Sequence, residues 1–241
     1  MVETIDLRTS AKGISAALIQ QWNGACECLP CHRQSAAICC QEVIKRFLGR
    51  LKDGDGMGIE HGEVPHDWNY FFCIEDDVTK LSRWIEFAED NETVYSIELA
   101  RLLMTASAEA DVVAKDLCKI IKPGTRASRI NEYRPVLLEK YPDLHGAEVA
   151  IPRFGKILHP WSNWRDAVDP PLWWTANNKI KHHRKDHFKE ANLKNVLNAV
   201  AGLLILLVLR TSKDRPSLYP GPTVFEPRTF AYRDGSGVVF R

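Results

Sequence analysis

No apolar run in this chain reaches the length of a bilayer. The longest, Ala199–Leu209, is 11 residues, against the roughly 20 that a spanning helix needs. A buried core helix is the better reading of that run, and no membrane partner is expected. There is no charge of one sign to spare either. The formal net charge is +1 over 241 residues, so no global field selects a nucleic acid or a membrane, and any such preference must come from a local patch. The opening stretch lacks a basic start followed by an apolar run, the pattern of an export signal. The seven cysteines are an odd number; without export they read as reduced thiols rather than a disulfide framework. A cytoplasmic protein is the expectation. No internal repeat and no low-complexity segment interrupts the chain.

What is present is apolar material in helical periods. Hydrophobic residues make up 45% and charged residues 26%, enough to bury a substantial core. Residues 8–22 are weakly helical. In 34–51, Ile38, Val43, Ile44, Phe47 and Leu51 recur at helical intervals. Residues 70–89 repeat the pattern with Phe71, Ile74, Val78, Leu81 and Ile85. The clearest helix spans about Glu92 to Lys122, with Tyr95, Leu99, Leu102, Ala106, Ala110, Val113, Leu117 and Ile120 as its stripe. Pro123-Gly124 stops it. Six prolines between Pro135 and Pro171 then confine the chain to short elements. "AEVAIPRFGKIL" (147–158) reads as two short strands or irregular packing. Helix returns from Leu172 to about Lys181 and again from about Lys189 to Arg210. "TFAYRDGSGVVFR" (229–241) reads as a hairpin turning near Asp234-Gly235. The expected fold is all-α: a helical bundle domain over 1–212 with an irregular insertion at about 123–171, followed by an extension, 213–241, that carries the β-hairpin.

Three patterns suggest ligands at first sight. "CLPCH" (Cys28–His32) matches the haem-attachment pattern, but that chemistry needs export. With Cys26 it also supplies four zinc-type ligands, spaced too tightly for paired knuckles; free thiols are the better reading. "DGDGMGIEHGEV" (53–64) begins like a calcium loop, yet Met57 and Val64 occupy positions that need oxygen ligands, so it reads as a surface turn. Trp161, Trp164, Trp173 and Trp174 offer stacking surfaces for bases, although such a cluster is more often core or a subunit interface. No metal and no cofactor is expected.

The richest stretch is "NNKIKHHR" (177–184). Between Lys179 and Lys194 the local charge excess is +4, and Lys179, Lys181, Arg184 and Lys185, with His183, suit a phosphate backbone. Cations close to a helix end also favour its carbonyls. His183 and His187 stand four apart, as paired metal ligands do, but neighbouring Arg184 and Lys185 repel a dication. On the long helix, Glu98, Arg101, Thr105 and Glu109 recur every three or four positions. Turned inward, Glu98 or Glu109 orients an imidazole; turned outward, they form a solvated face.

The position of "NNKIKHHR" between two helical stretches, with "SIELARLLMTASAEADVVAKDL" (96–117) as the packing helix, resembles the HEPN family of helical bundles. In nuclease members an Arg, then a polar residue, precedes a His by a few residues. Here Asn178 matches the polar position, His182 the histidine, and Asn177 stands where the Arg belongs. The resemblance covers about 90–210. It implies an RNA-directed protein acting in stress response or defence, as a metal-independent ribonuclease built as a symmetric homodimer with two motifs facing one cleft. His182 then transfers protons, while Asn177 can position a phosphate but cannot neutralise it. The alternative it leaves is an inactive module that keeps the fold and binds nucleic acid or a protein partner. The expected dimer surface is the Trp-rich segment or the last helix.

Overall fold

The longest uninterrupted apolar sequence becomes the most enclosed element. A computed structural model describes residues 66–166, 169–212, 217–235 and 237–241. These all fall in the second of two units into which the chain divides, His61–Arg241. The expected helices at 8–22 and 34–51, the "CLPCH" cluster and the "DGDG" loop lie outside the described residues. The described helices are α1 (His66–Leu81), α2 (Ile97–Ile121), α3 (Ile130–Lys140), α4 (Leu172–His187) and α5 (Leu193–Thr211).

α5 is apolar around nearly its whole circumference, so it can be stable only inside other elements. The helix extends the 11-residue apolar run to 19 residues, which by length and mean composition would be enough to cross a bilayer, but 78% of its apolar window is buried by the chain itself. Asn192 caps it by accepting the Asn195 N–H at 3.0 Å. α2 lies along α5 as its main partner and starts at Ser96, whose side chain accepts the Leu99 N–H at 3.0 Å. The α2 stripe from Leu99 to Cys118 is buried against this pair. Gly124, at φ 85° just past the helix, adopts the left-handed turn that other residues avoid.

The proline-punctuated segment holds more structure than its composition suggests. α3 runs for 11 residues with Pro135 inside. Proline removes one helical N–H, but Pro135 is exposed, while Ile130, Tyr133, Val136 and Leu137 carry the buried face. That face, packed on α2, outweighs one missing hydrogen bond. The strands β1 (Val149–Ile151) and β2 (Lys156–Leu158) follow, so this region is not irregular throughout.

The tail contributes β3 (Ser217–Leu218), β4 (Glu226–Pro227), β5 (Ala231–Asp234) and β6 (Gly237–Phe240). The β5–β6 hairpin forms where expected, with Asp234 opposite Gly237. Two three-stranded antiparallel sheets result, ordered β2-β1-β4 and β3-β6-β5. The described part is thus mostly helical with small antiparallel sheets, and β4 ties the tail to β1 through Val149↔Pro227 and Ala150↔Glu226. Glu75 on α1 completes the attachment. It is 2% exposed, and its carboxylate accepts the backbone N–H groups of Thr223, Val224 and Phe225 at 2.9–3.1 Å. The Trp68 indole donates to the Pro220 carbonyl at 2.9 Å.

All four clustered tryptophans are core: Trp161 is 0%, Trp164 1%, Trp173 1% and Trp174 6% exposed. Trp173 donates to the Pro160 carbonyl at 2.8 Å and lies so close to α5 that a Cβ on Gly202 would come within 2.8 Å of its ring. These side chains and most of the last helix are buried in the chain's own interior.

Candidate functional site

α4 begins one residue after Pro171 and continues six residues beyond the expected Lys181, to His187. "NNKIKHHR" is therefore not a loop between helices. It lies within α4, and its one departure from helical geometry is at His183 (φ −137°, ψ 46°). No proline or glycine lies in α4 to account for that kink.

Helical spacing sorts the motif into faces. Trp174, Asn177, Asn178, Lys181, Arg184, Lys185 and Phe188 follow one another at three- and four-residue steps on the side toward α2. α2 answers with Ile97, Arg101, Met104, Ser107, Ala108 and Asp111 at the same steps. Two cavities open along this seam. The first, about 690 Å³, is lined by Met104, Ser107, Asp111, Arg129, Ile130, Glu132, Pro170, Trp174, Asn177, Asn178 and Lys181 among others. The second, about 830 Å³, is lined by Ile97, Ala100, Arg101, Met104, Thr105, Arg184, Lys185 and Phe188. Met104 borders both, and the Arg184 guanidinium reaches its sulfur at 3.4 Å. The seam is thus one groove divided by an Arg–Met contact, mainly apolar on the Phe188 side and lined by both polar and apolar residues on the Trp174 side.

The charges along it are not equivalent. Arg101 donates to Glu98, and to Asp77 at 2.6 Å; these bonds hold its guanidinium above the ordinary arginine value and consume its charge. Lys179 pairs with Glu190 at 2.9 Å. By contrast, Lys181, Arg184 and Lys185 are exposed and have no ion-pair partner among the described residues. The groove therefore carries a row of three uncommitted cations, two of them on its mainly apolar Phe188 side. Asn177 is half-buried and Asn178 exposed, and neither amide is engaged by another described side chain.

His182 stands off this row. One residue beyond Lys181 it is turned by about 100° around the helix; it is exposed and lines neither cavity. Its ring centroid is 6.5 Å from that of His183, and His183 is 6.4 Å from His187. Glu98 and Glu109 do not support it. Glu98 is held by Arg101 on the solvent side of α2. Glu109 lies toward α1 and α5, where burial and the charge of Asp67 push its carboxyl above the usual range and Arg210 opposes them. No group of three or more His, Cys, Asp or Glu among the described residues is placed to hold a metal.

Ser107, Asp111, Arg129 and Met104 are lining residues that sequence reading missed, whereas Trp174 stood among the aromatic candidates. The cations and amides of α4 were visible in the sequence, but which of them share one face, and the α2 wall opposite, appear only once the two helices are known to lie side by side. Comparison with family models, with curated proteins and with solved structures gives no match.

Proposed function

We propose that the chain is an RNA-directed helical-bundle protein of HEPN-like type that binds single-stranded RNA along the α2–α4 seam without cleaving it. The observation that carries this reading is the row Lys181, Arg184, Lys185, exposed and without ion-pair partners among the described residues, beside a groove that is mainly apolar on its Phe188 side. Cations neutralise the phosphates and apolar walls receive unstacked bases, the combination used by sequence-tolerant single-strand binders. Cleavage is the weaker reading, because His182 is turned off the groove and neither Glu98 nor Glu109 is directed to orient it.

The test is salt dependence. Binding of the full chain to an unstructured RNA is measured as salt is raised, for the wild type and for a Lys181→Ala/Arg184→Ala/Lys185→Ala variant. Each phosphate contact adds about 0.7 to the slope of log K against log salt for a single strand. The variant is expected to bind more weakly and to lose about 2 from that slope. An unchanged slope would show that these side chains do not touch phosphate.

A further inference from the structure

We propose that His182, His183 and His187 couple RNA binding on α4 to proton uptake, so that the strand is held more tightly as pH falls from about 8 to about 6. This rests on the reading of α4 as the RNA-binding face and adds its regulation. Imidazole is the side chain that ordinarily gains its charge between pH 8 and pH 5. Three of the eight histidines of the chain fall within six residues, at the end of α4 that carries the free cations. His182 and His183 are exposed and His187 is half-buried, so protons reach all three.

Their positions place them in the field of the cation row. Each lies within three residues of Arg184, about 5 Å or less along a helix axis, which is less than the screening length of about 8 Å at physiological salt. The ring centroids of His182 and His183 are 6.5 Å apart, and those of His183 and His187 6.4 Å. Charged rings at that separation repel one another and the flanking Lys181, Arg184 and Lys185. Phosphates laid along the helix relieve that repulsion, so binding and protonation favour each other. Fully charged, the three rings take the local excess between Lys179 and Lys194 from +4 to +7.

Carboxylates around this end of α4 are few or already engaged. Asp186 is the one acid in the helix, and Glu190 in the next turn is held by Lys179 at 2.9 Å. Across the 830 Å³ cavity, α2 faces Arg184 and Lys185 with Arg101, whose charge Glu98 and Asp77 take up. Toward Lys181, the 690 Å³ cavity sets Arg129 and Lys181 against Asp111 and Glu132, a balanced set. At the start of α5, Lys194 pairs with Glu92. None of the three imidazoles has an ion-pair partner among the described residues, which leaves the strand as the anion that holds them charged. The bound state then carries more protons than the free one, and affinity rises as pH falls.

The experiment is equilibrium binding of the full chain to a labelled oligouridine at fixed salt, from about pH 8 to about pH 6. Neither uracil nor a phosphodiester changes charge in that range. A charge pair about 4 Å apart in water is worth roughly a factor of five. Wild-type affinity is expected to rise at least about fivefold across the range. The slope of log K against log salt should steepen by at least about 0.7, one further phosphate contact. His182→Gln/His183→Gln/His187→Gln is expected to hold its affinity within about twofold over the same range. Calorimetry of the wild type in two buffers of different ionisation enthalpy counts the protons taken up on binding, and does not depend on how the variant folds. A level wild-type affinity, or no proton uptake, overturns the coupling and leaves the backbone-binding reading standing. A rise that survives the triple substitution overturns the assignment to these three rings. Absence of binding at every pH overturns this proposal together with the reading beneath it.

Discussion

Single residues in this structure often act through partners that are distant in sequence, and their titration shows it. Glu109 is a half-buried carboxyl between Asp67 and Arg210. Burial and the neighbouring Asp67 raise its pKa, and Arg210 only partly opposes them. A carboxyl whose folded value lies above its unfolded value, ordinarily about 4.3, binds its proton more tightly in the folded state. Its contribution to stability is complete below the unfolded value and is lost as pH rises through the folded one. Ionised Glu109 is therefore a small liability at neutral pH. Glu109→Gln is expected to raise the melting temperature at pH 7 by the equivalent of less than about 1 kcal/mol, since the carboxyl remains partly in water. The gain should disappear near pH 4. Melting curves of both proteins across that range check the sign, and an equal gain at both ends would remove the ionisation account. Glu92 behaves oppositely: burial pushes its carboxyl up, but hydrogen bonds from Lys156 and Lys194 outweigh burial and hold it below the ordinary value.

Among the elements, those built on local periodicity were legible and those built on distant pairing were not. The stripe of α2 and the apolar run of α5 announced themselves, because each helix carries its own burial pattern in consecutive turns. α3 stayed hidden because Pro135 is tolerated on an exposed face, a fact that only the packing supplies. The β5–β6 hairpin was visible from its Gly-containing turn, whereas β4 pairs with a strand almost eighty positions earlier. Glu75 read as one acidic position in an amphipathic helix, yet its partners Thr223, Val224 and Phe225 are about 150 residues away. It is the peg on which the tail hangs. Glu75→Ala removes the acceptor from three backbone N–H groups, each costing about 1–3 kcal/mol when left unmet in the interior. A loss of about 3 kcal/mol or more in unfolding free energy is expected, with faster hydrogen exchange at 223–225. Glu75→Gln keeps an acceptor oxygen and should fall between. A loss under about 1 kcal/mol for Glu75→Ala would show that the tail is held by β4 and Trp68 without it.

At the scale of the whole molecule, cleavage demands more than one chain of this geometry assembles. Metal-independent transfer from a ribose hydroxyl needs a group to move the proton and a charge to meet the developing phosphoryl oxygens. His182 can do the first only if something orients it, and Asn177 cannot do the second. A second copy facing the first across α4 could bring two imidazoles together. It would also bring together two helices that each carry Lys181, Arg184 and Lys185 against the single acid Asp186, Lys179 being already paired with Glu190. Like charges at that spacing resist association unless a polyanion lies between them. Cleavage is tested by one comparison in the presence of a chelator: RNA incubated with wild type and with His182→Ala, followed by cleavage and by binding. The expected outcome is intact RNA with both proteins and affinities within about twofold, because Lys181, Arg184 and Lys185 remain in place to hold the phosphates. Cleavage by the wild type that falls by about 10²- to 10⁴-fold in the variant, the range for losing a proton-transfer group, would overturn the non-catalytic reading. It would then require that RNA itself draws two basic helices into one cleft.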